Sequence, residues 1–576
     1  MLRRLGAQIA KEINPESRTI LEHRQTSGFA NMTGMQLKMK SAEVTNWEVR
    51  HLPVIIALSC LWLSLLVVLL AILTINSGSM VYTIDDIYIH LAISRNLNEY
   101  SVFGVTRYEF SSSSSSPLWN LIISAAFVLV GITDMVPLAL NVILSSIAVV
   151  TFYVLLKDLD VSSQYITAVL LSFVFFTSLP GLVFTGMEHT LHIILSLLFF
   201  VLSSRILSLE ESSNRDSLLL LVVTFFVSAV RFESVFLALP VAFLFLMKRD
   251  WSHALAVLLV AGLPWLAYGI VSVQNGWLLL PNSLLVKGVD AMNEGIALFL
   301  IRGIGALVVS PHLLVLLVAT VKLTRFQEHG FWHKNNVMNL IFISACLLHL
   351  QLGRIGWFFR YEAYLVALGI LAVSIQARQF LSELDLPSIR MPAIGASLDR
   401  NRLYGLGLVI LFIAPLVGRG ALWIYWTPTA SKNIYEQQYQ MGLFLDRFYT
   451  GETVLMNDIG CANYLSDIVC VDKWGIGTLD VGQMLLNGSM SAEMLRIIAD
   501  ERGVKVAILY ADGLIPEEWE EVGRWTIRDN VVAYNSTVSF LAVMPSEKDR
   551  LIESLVLFSP GLSDDVIESG LYTTLL

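Results

Sequence analysis

Two adjacent carboxylates, Asp85 and Asp86, stand in Tyr82-Thr-Ile-Asp85-Asp86-Ile-Tyr-Ile-His90, just after the first long apolar run of the chain. Ionised side by side near low-dielectric lipid, such groups repel and raise each other's pKa, which suits general-base work or charge stabilisation. An Asp ahead of an amphipathic run also makes a good helix N-cap, but capping needs only one of the two. The stretch from Ile87 to Asn98 predicts a short amphipathic helix lying along a membrane interface, with Asp86, His90 and Arg95 nearer one side. Asp86 and His90 are spaced i, i+4 on one face. With Glu188 from a later loop they form a candidate site for a divalent cation, beside the plainer reading of hydrogen-bonding partners.

The elements that hold this loop follow from composition. Of 576 residues, 55% are hydrophobic and only 15% charged, whereas a soluble chain carries about a quarter charged residues. This is a polytopic membrane protein. Its net charge of -9 argues against nucleic acid as a partner. Of the four cysteines, Cys60 and Cys346 lie in apolar runs. Cys461 and Cys470 lie in the polar tail, where a disulfide in an oxidising compartment and two buried free thiols are both open. The first apolar run lacks a small-residue cleavage pattern and is expected to stay as an anchor.

Pro53 to Ile75 is long enough to cross a hydrocarbon core of roughly 30 Å. Later apolar runs, from Val136 to Leu156 through to Leu403 to Trp423, bring the expected total to about eleven spans, one of them the single run from Leu298 to Val321. Pro117 to Gly131 is short for a crossing and reads as an interfacial helix. Basic residues before the first span, and Lys157, Arg205, Lys248, Arg249, Lys322 and Arg378 in alternate loops, obey the positive-inside rule. The amino terminus is then expected in the cytoplasm and the Asp pair on the outer face, whether periplasm, cell exterior or organelle lumen, with a plasma (inner) membrane as the expected location. The expected domains are a cytoplasmic tail over 1-52, a transmembrane domain over 53-426 and an extracytoplasmic α/β domain over 427-576. In the last, Thr453-Met456, Val504-Tyr510 and Val531-Tyr534 read as strands, between helical stretches such as Tyr435 to Tyr449 and Ser491 to Arg502.

This topology brings several further groups to the outer face. They are Glu188 and His189 in one loop, Arg231-Phe232-Glu233 in a break between spans, Asn282 to Lys287 in another loop, and Arg354 to Glu362 in a third. Arg231 with Glu233 reads as a structural ion pair. Lys287, Arg354 and Arg360 place positive charge opposite most of the chain's positive charge, and a lipid phosphate is the simplest anion at that depth. The serine run from Ser111 to Ser116 reads either as a flexible linker or as a hydroxyl-lined holder for sugar or phosphate.

Taken in order, Asp85-Asp86, Ser115-Ser116-Pro117-Leu118-Trp119, Gly186-Met187-Glu188, Arg231-Phe-Glu233, Pro281-Asn282-Ser283 to Lys287 and Asn457-Asp458-Ile459-Gly460 resemble the motifs of bacterial GT-C glycosyltransferases. Within that family the chain looks most like the branch containing the terminal arabinofuranosyltransferases. It has Arg231-Phe232-Glu233 where the family often has Arg-Pro-Glu. The resemblance implies a GT-C-like helical fold with about eleven transmembrane helices and interfacial helices in the first outer loop. It also implies transfer of a sugar from a polyprenyl-phosphate donor to a glycan, glycolipid or protein acceptor, with inversion. Asp85 or Asp86 would be the base, with Asp85 favoured; Lys287, Arg354 and Arg360 would meet the phosphate, and Glu188 with the second Asp the ring. His90, Ser116, Trp119, His189, Arg231 and Asn282 are further candidate substrate contacts, and the tail is expected to help orient the acceptor. Rival readings are a transporter and a non-catalytic protein that binds or assembles lipid-linked glycans; a transporter calls for inverted repeats and midplane charges.

Overall fold

In the computed structural model, residues 51-159, 161-209, 213-286, 296-324, 328, 330-383, 400-510 and 514-576 are described. The expected tail therefore lies almost wholly outside the described residues. Helices in the first part are α1 (His51–Ile75), α2 (Asp86–Tyr100), α3 (Pro117–Val130), α4 (Met135–Leu156), α5 (Ser163–Phe176), α6 (His189–Ser208), α7 (Asn214–Val230), α8 (Val235–Met247) and α9 (Trp251–Gln274). They continue as α10 (Ile296–Val309), α11 (Pro311–Leu323), α12 (Lys334–Leu352), α13 (Ala363–Glu383) and α14 (Arg400–Ile434). Among the described residues, α1, α4, α6, α9 and α12 are long and apolar enough to cross a membrane. Mostly buried α6 packs on α4, α7, α12 and α13 and forms the centre of the bundle.

Two differences from the sequence expectation have simple causes. The run from Leu298 to Val321 is not one straight span: α10 and α11 meet at 100°, because Pro311 lacks the N–H to continue α10 and disfavours helical geometry at Ser310. Helix α14 runs on past residue 427 to Ile434, so the expected domain boundary falls inside a helix. Helix α3 has 14 residues, about 21 Å of length, and leaves Val128, Leu129 and Val130 exposed at its end.

After α14 come a π turn over Tyr435–Tyr439, α15 (Gln440–Phe448), α16 (Gly460–Leu465), α17 (Leu479–Leu486), α18 (Ala492–Arg502) and α19 (Lys548–Phe558). They pack on strands β1 (Thr453–Met456), β2 (Val469–Asp472), β3 (Val506–Tyr510), β4 (Glu520–Thr526), β5 (Thr537–Ala542) and β6 (Ile567–Gly570). The sheet order is β2-β1-β3-β5-β4-β6. Strand β1 is parallel to β2 and β3, with Val454 opposite both Cys470 and Val506. The remaining pairings are antiparallel. Side-chain alternation along β3 builds both cores: Val506, Ile508 and Tyr510 join Phe444, Trp525 and Phe540, while Ala507 and Leu509 join Leu495 and Ile498. Val531 to Tyr534, expected as a strand, is a bent segment; the Val531 N–H donates to Asn433 Oδ1 at 2.9 Å instead of to a neighbouring strand. All four cysteines are free thiols.

Candidate active site

A cavity of about 190 Å³ opens at the end of the bundle that carries the C-terminal domain. Asp86, Glu233, Arg231, Arg302, Arg354, Arg360, Tyr361, Ser115 and Ser283 form its polar lining, and Phe232, Val235, Phe236, Trp265, Leu284 and Leu352 supply an apolar side. Four arginines face two carboxylates, so the lining carries a positive excess. Arg360 is the central group. It is 2% exposed, pairs with Asp86 and lies over the Tyr361 ring at 4.9 Å. Its Nε and Nη1 are buried without a hydrogen-bond partner. Buried guanidinium donors without an acceptor are costly, and a multiply charged anion in the cavity would satisfy them.

The backbone that presents Arg360 is strained. Gly356, Trp357, Phe358 and Phe359 all have φ between 41° and 75°, a region that bulky residues rarely occupy. Arg419 on α14 over-determines the turn. It donates to Glu362 Oε1 at 2.5 Å, to the Phe359 carbonyl at 2.5 Å and to the Phe176 carbonyl at 3.0 Å. Glu362 also accepts from the Gly356 N–H at 2.9 Å. His349 Nε2 stands 2.9 Å from the Arg354 carbonyl and so holds the start of the loop.

Arg231 sits between two acids, donating to Glu188 Oε1 at 2.5 Å and from Nε to Glu233 Oε2 at 3.0 Å. His189 Nε2 is 3.4 Å from the same guanidinium, and its ring meets Tyr361 edge-on. Glu188 is fully buried in this ion cluster.

The two adjacent aspartates point to different places. Asp86 lines the cavity. Asp85 accepts from the Gly460 and Cys461 N–H groups at 2.8 and 2.7 Å, at the start of α16 in the C-terminal domain. It makes no side-chain cap to α2. Arg95, ten residues on, donates to the Tyr464 and Asn463 carbonyls at the other end of α16, at 2.7 and 3.1 Å. One helix thus grips another, acid at its N-terminus and base at its C-terminus, as the helix dipole favours. A Cβ on Gly460 would stand 2.2 Å from the Asp85 carbonyl oxygen, so the dock needs glycine there. Burial pushes the Asp85 carboxyl up to about 7; the Asp458 charge adds to this, and the two amide hydrogen bonds oppose it. The dominant charge on Asp85 is that of Asp458, not of its sequence neighbour.

His90 Nδ1 lies 3.0 Å from Asn120 Oδ1, and Asn120 returns a bond to the His90 carbonyl at 3.1 Å. Ser114 donates to the same Asn120 oxygen at 2.6 Å. The serine run is therefore buried structure; Ser111 to Ser114 and Ser116 are all buried, and the Ser116 hydroxyl has no partner. Trp119 donates to the Gly186 carbonyl at 3.2 Å. Asn282 donates to the Gly475 carbonyl at 3.0 Å and ties a bundle loop to the C-terminal domain. Asp86, His90 and Glu188 do not form a metal-binding group; among the described residues no three His, Cys, Asp or Glu side chains do. Lys287 lies outside the described residues.

Residues 432–541 match a family model described as a domain of unknown function, DUF8728. No curated protein matches the chain. The crystal structure of ArnT from Cupriavidus metallidurans bound to undecaprenyl phosphate is similar at a TM-score of 0.49 and 13% identity, over 85% of this chain and 98% of that one. That of the Archaeoglobus fulgidus oligosaccharyltransferase in the apo form is similar at a TM-score of 0.42 and 11% identity, over 83% of this chain and 74% of that one.

Sequence reading missed Arg302 and Arg419. Both stand inside apolar runs, and that alone marks an intramembrane arginine as a residue with a partner or a task. Tyr361 and Arg95 carry no comparable signal; their roles depend on which elements meet.

Proposed function

We propose that the protein is a membrane glycosyltransferase that takes a sugar from a polyprenyl-phosphate donor and attaches it to an acceptor hydroxyl. The observation that carries this is Arg360, with two unpartnered guanidinium nitrogens buried in a cavity beside an ion-paired carboxylate and an apolar wall. The apolar side, Phe236, Leu284 and Leu352, suits a prenyl chain entering from the bilayer. Arg360, Arg231, Arg302 and Arg354 suit the phosphate, whose negative charge grows as its bond to the anomeric carbon breaks.

Asp86 is then the base. The acceptor hydroxyl attacks the anomeric carbon, its proton passes to the Asp86 carboxylate, and polyprenyl phosphate leaves with the bonding pair. Attack opposite the leaving group inverts the anomeric centre. Arg360 links the two events. When one of its N–H groups turns to the phosphate, the carboxylate it held becomes free to accept a proton. Asp85 takes the docking role that its amide partners indicate. The positive-inside pattern supports an inner-membrane enzyme with its C-terminal domain extracytoplasmic. An arabinofuranose or another pentose or hexose fits the resemblance, with a cell-envelope glycan, glycolipid or protein as acceptor.

The test is transfer of labelled sugar from a panel of polyprenyl-phosphate sugars by the full chain in nanodiscs, beside Arg360→Ala. Wild type is expected to bind polyprenyl phosphate and transfer one sugar, and Arg360→Ala to lose about 2–5 kcal/mol of lipid-phosphate affinity. Failure of wild type to bind any polyprenyl phosphate removes this reading. Binding without transfer from any donor replaces it with a lipid-linked glycan binding protein.

A further inference from the structure

The C-terminal sheet has a topological switch point. From β1 the chain passes through α16 to β2 on one side, then through α17 and α18 to β3 on the other side of β1. In open α/β sheets the crevice outside the carboxyl ends of the strands, where the order reverses, is where ligands bind. At this point stand Asp458, two residues beyond the end of β1, and Tyr510, the last residue of β3. They are joined by Asn457, whose Oδ1 accepts from the Tyr510 N–H at 2.8 Å.

Four observations describe what this crevice offers. The Tyr510 hydroxyl donates to Asp458, and Gln438 Nε2 donates to the same carboxylate oxygen at 2.8 Å. A row of rings leads outward, Tyr534 lying 5.5 Å from Tyr510 and 5.2 Å from Trp474 between centroids. Tyr534 is 59% exposed although it is aromatic and clustered. Gln438 and Asn457, 2% and 5% exposed, each keep one buried amide atom, Oε1 and Nδ2, without a hydrogen-bond partner.

We propose that Tyr534, Trp474 and Asp458 form a subsite for a neutral sugar unit of the acceptor, holding it so that its hydroxyl reaches Asp86. Rings present flat apolar faces to the C–H face of a sugar, while the carboxylate and the amides take its hydroxyls. The surrounding acids select against anions: Asp85 and Asp86 both lie close enough to Asp458 for charge repulsion between them. Asp86, which lines the cavity, is one of the charges that Asp458 feels. The bent segment Val531 to Tyr534, expected as a strand, is what carries Tyr534 out of the sheet to meet Trp474. The subsite rests on the glycosyltransferase reading for its purpose, though not for its ligand class.

The experiment measures binding of two probes to the full chain in nanodiscs, undecaprenyl phosphate and an array of neutral pentose and hexose oligosaccharides. The variants are Tyr534→Ala, Tyr534→Phe and Trp474→Ala. Wild type is expected to bind at least one oligosaccharide, and each Ala variant to bind it about tenfold or more weakly, with Tyr534→Phe near wild type and undecaprenyl phosphate binding unchanged in all. Tyr534 is exposed, so its loss leaves folding intact. Oligosaccharide binding that is absent from wild type, or equal in wild type and Tyr534→Ala, overturns the subsite while lipid-phosphate binding stands. Ring-dependent glycan binding by a wild type with no affinity for undecaprenyl phosphate supports the subsite and overturns the transferase.

Discussion

Arg360 and Asp85 show how little a residue's type says until its surroundings are known. Both are ionisable residues in loops at the ends of apolar runs, Arg360 buried and Asp85 half-buried. Arg360 keeps unpartnered donors facing a cavity, whereas Asp85 spends both oxygens on amides of another domain. A pH prediction follows for Asp85. Its folded pKa of about 7 lies above the unfolded value, about 3.9. The stability it contributes is therefore fully present below about pH 4 and is lost as pH rises through about 7. Asp472, pushed up to about 6 by burial, acts in the same direction. The thermal midpoint in nanodiscs should fall between pH 5 and pH 8, and Asp85→Asn, which has no proton to lose and so gains no charge, should flatten that fall. Parallel slopes in the two proteins would show that Asp85 does not titrate in this window.

Elements decide which of these side chains meet. Four successive left-handed residues before Arg360 persist only because Arg419 and Glu362 tie the turn from both sides. Arg419→Ala leaves Glu362 buried without its guanidinium partner, with the Gly356 N–H and His312 beside it, and is expected to destabilise the protein by about 3–5 kcal/mol. If Arg419→Ala melts like wild type in nanodiscs, the clamp is not what holds the loop. Gly460→Ala drives a Cβ into the Asp85 carbonyl. An overpacking cost of about 1–3 kcal/mol is expected, read as earlier protease cleavage between the bundle and the C-terminal domain. Unchanged cleavage would mean that α2 and α16 separate without consequence.

At the scale of the whole molecule, the described residues form a helical bundle and an α/β domain tied together by Asp85 and Arg95 on α16 and by Asn282 on Gly475. That the chain builds a bundle of apolar helices was legible in the sequence, because runs of span length are set by the bilayer itself, although among the described residues five helices, not about eleven, are long and apolar enough to cross one. Asp86, Arg231, Arg354 and Arg360 stood out because each interrupts or borders such a run. Their separate partners were not legible: adjacency of Asp85 and Asp86 suggested one coupled pair, and only the position of α16 parts them. Val531 to Tyr534 had strand composition but lost its strand to Asn433, a contact almost a hundred residues away. Pro311 could have foretold the bend between α10 and α11, since proline breaks a run that hydropathy reads as continuous. The most direct measurement compares sugar transfer by wild type, Asp86→Asn and Asp85→Asn, each with its polyprenyl-phosphate affinity. With Asp86 as the base, Asp86→Asn loses about 10²–10⁴-fold in transfer and keeps its lipid affinity, while Asp85→Asn keeps measurable transfer and melts earlier at pH 5, where Asp85 contributes its stability. Wild-type transfer by Asp86→Asn, or complete loss in Asp85→Asn with stability unchanged, would contradict it.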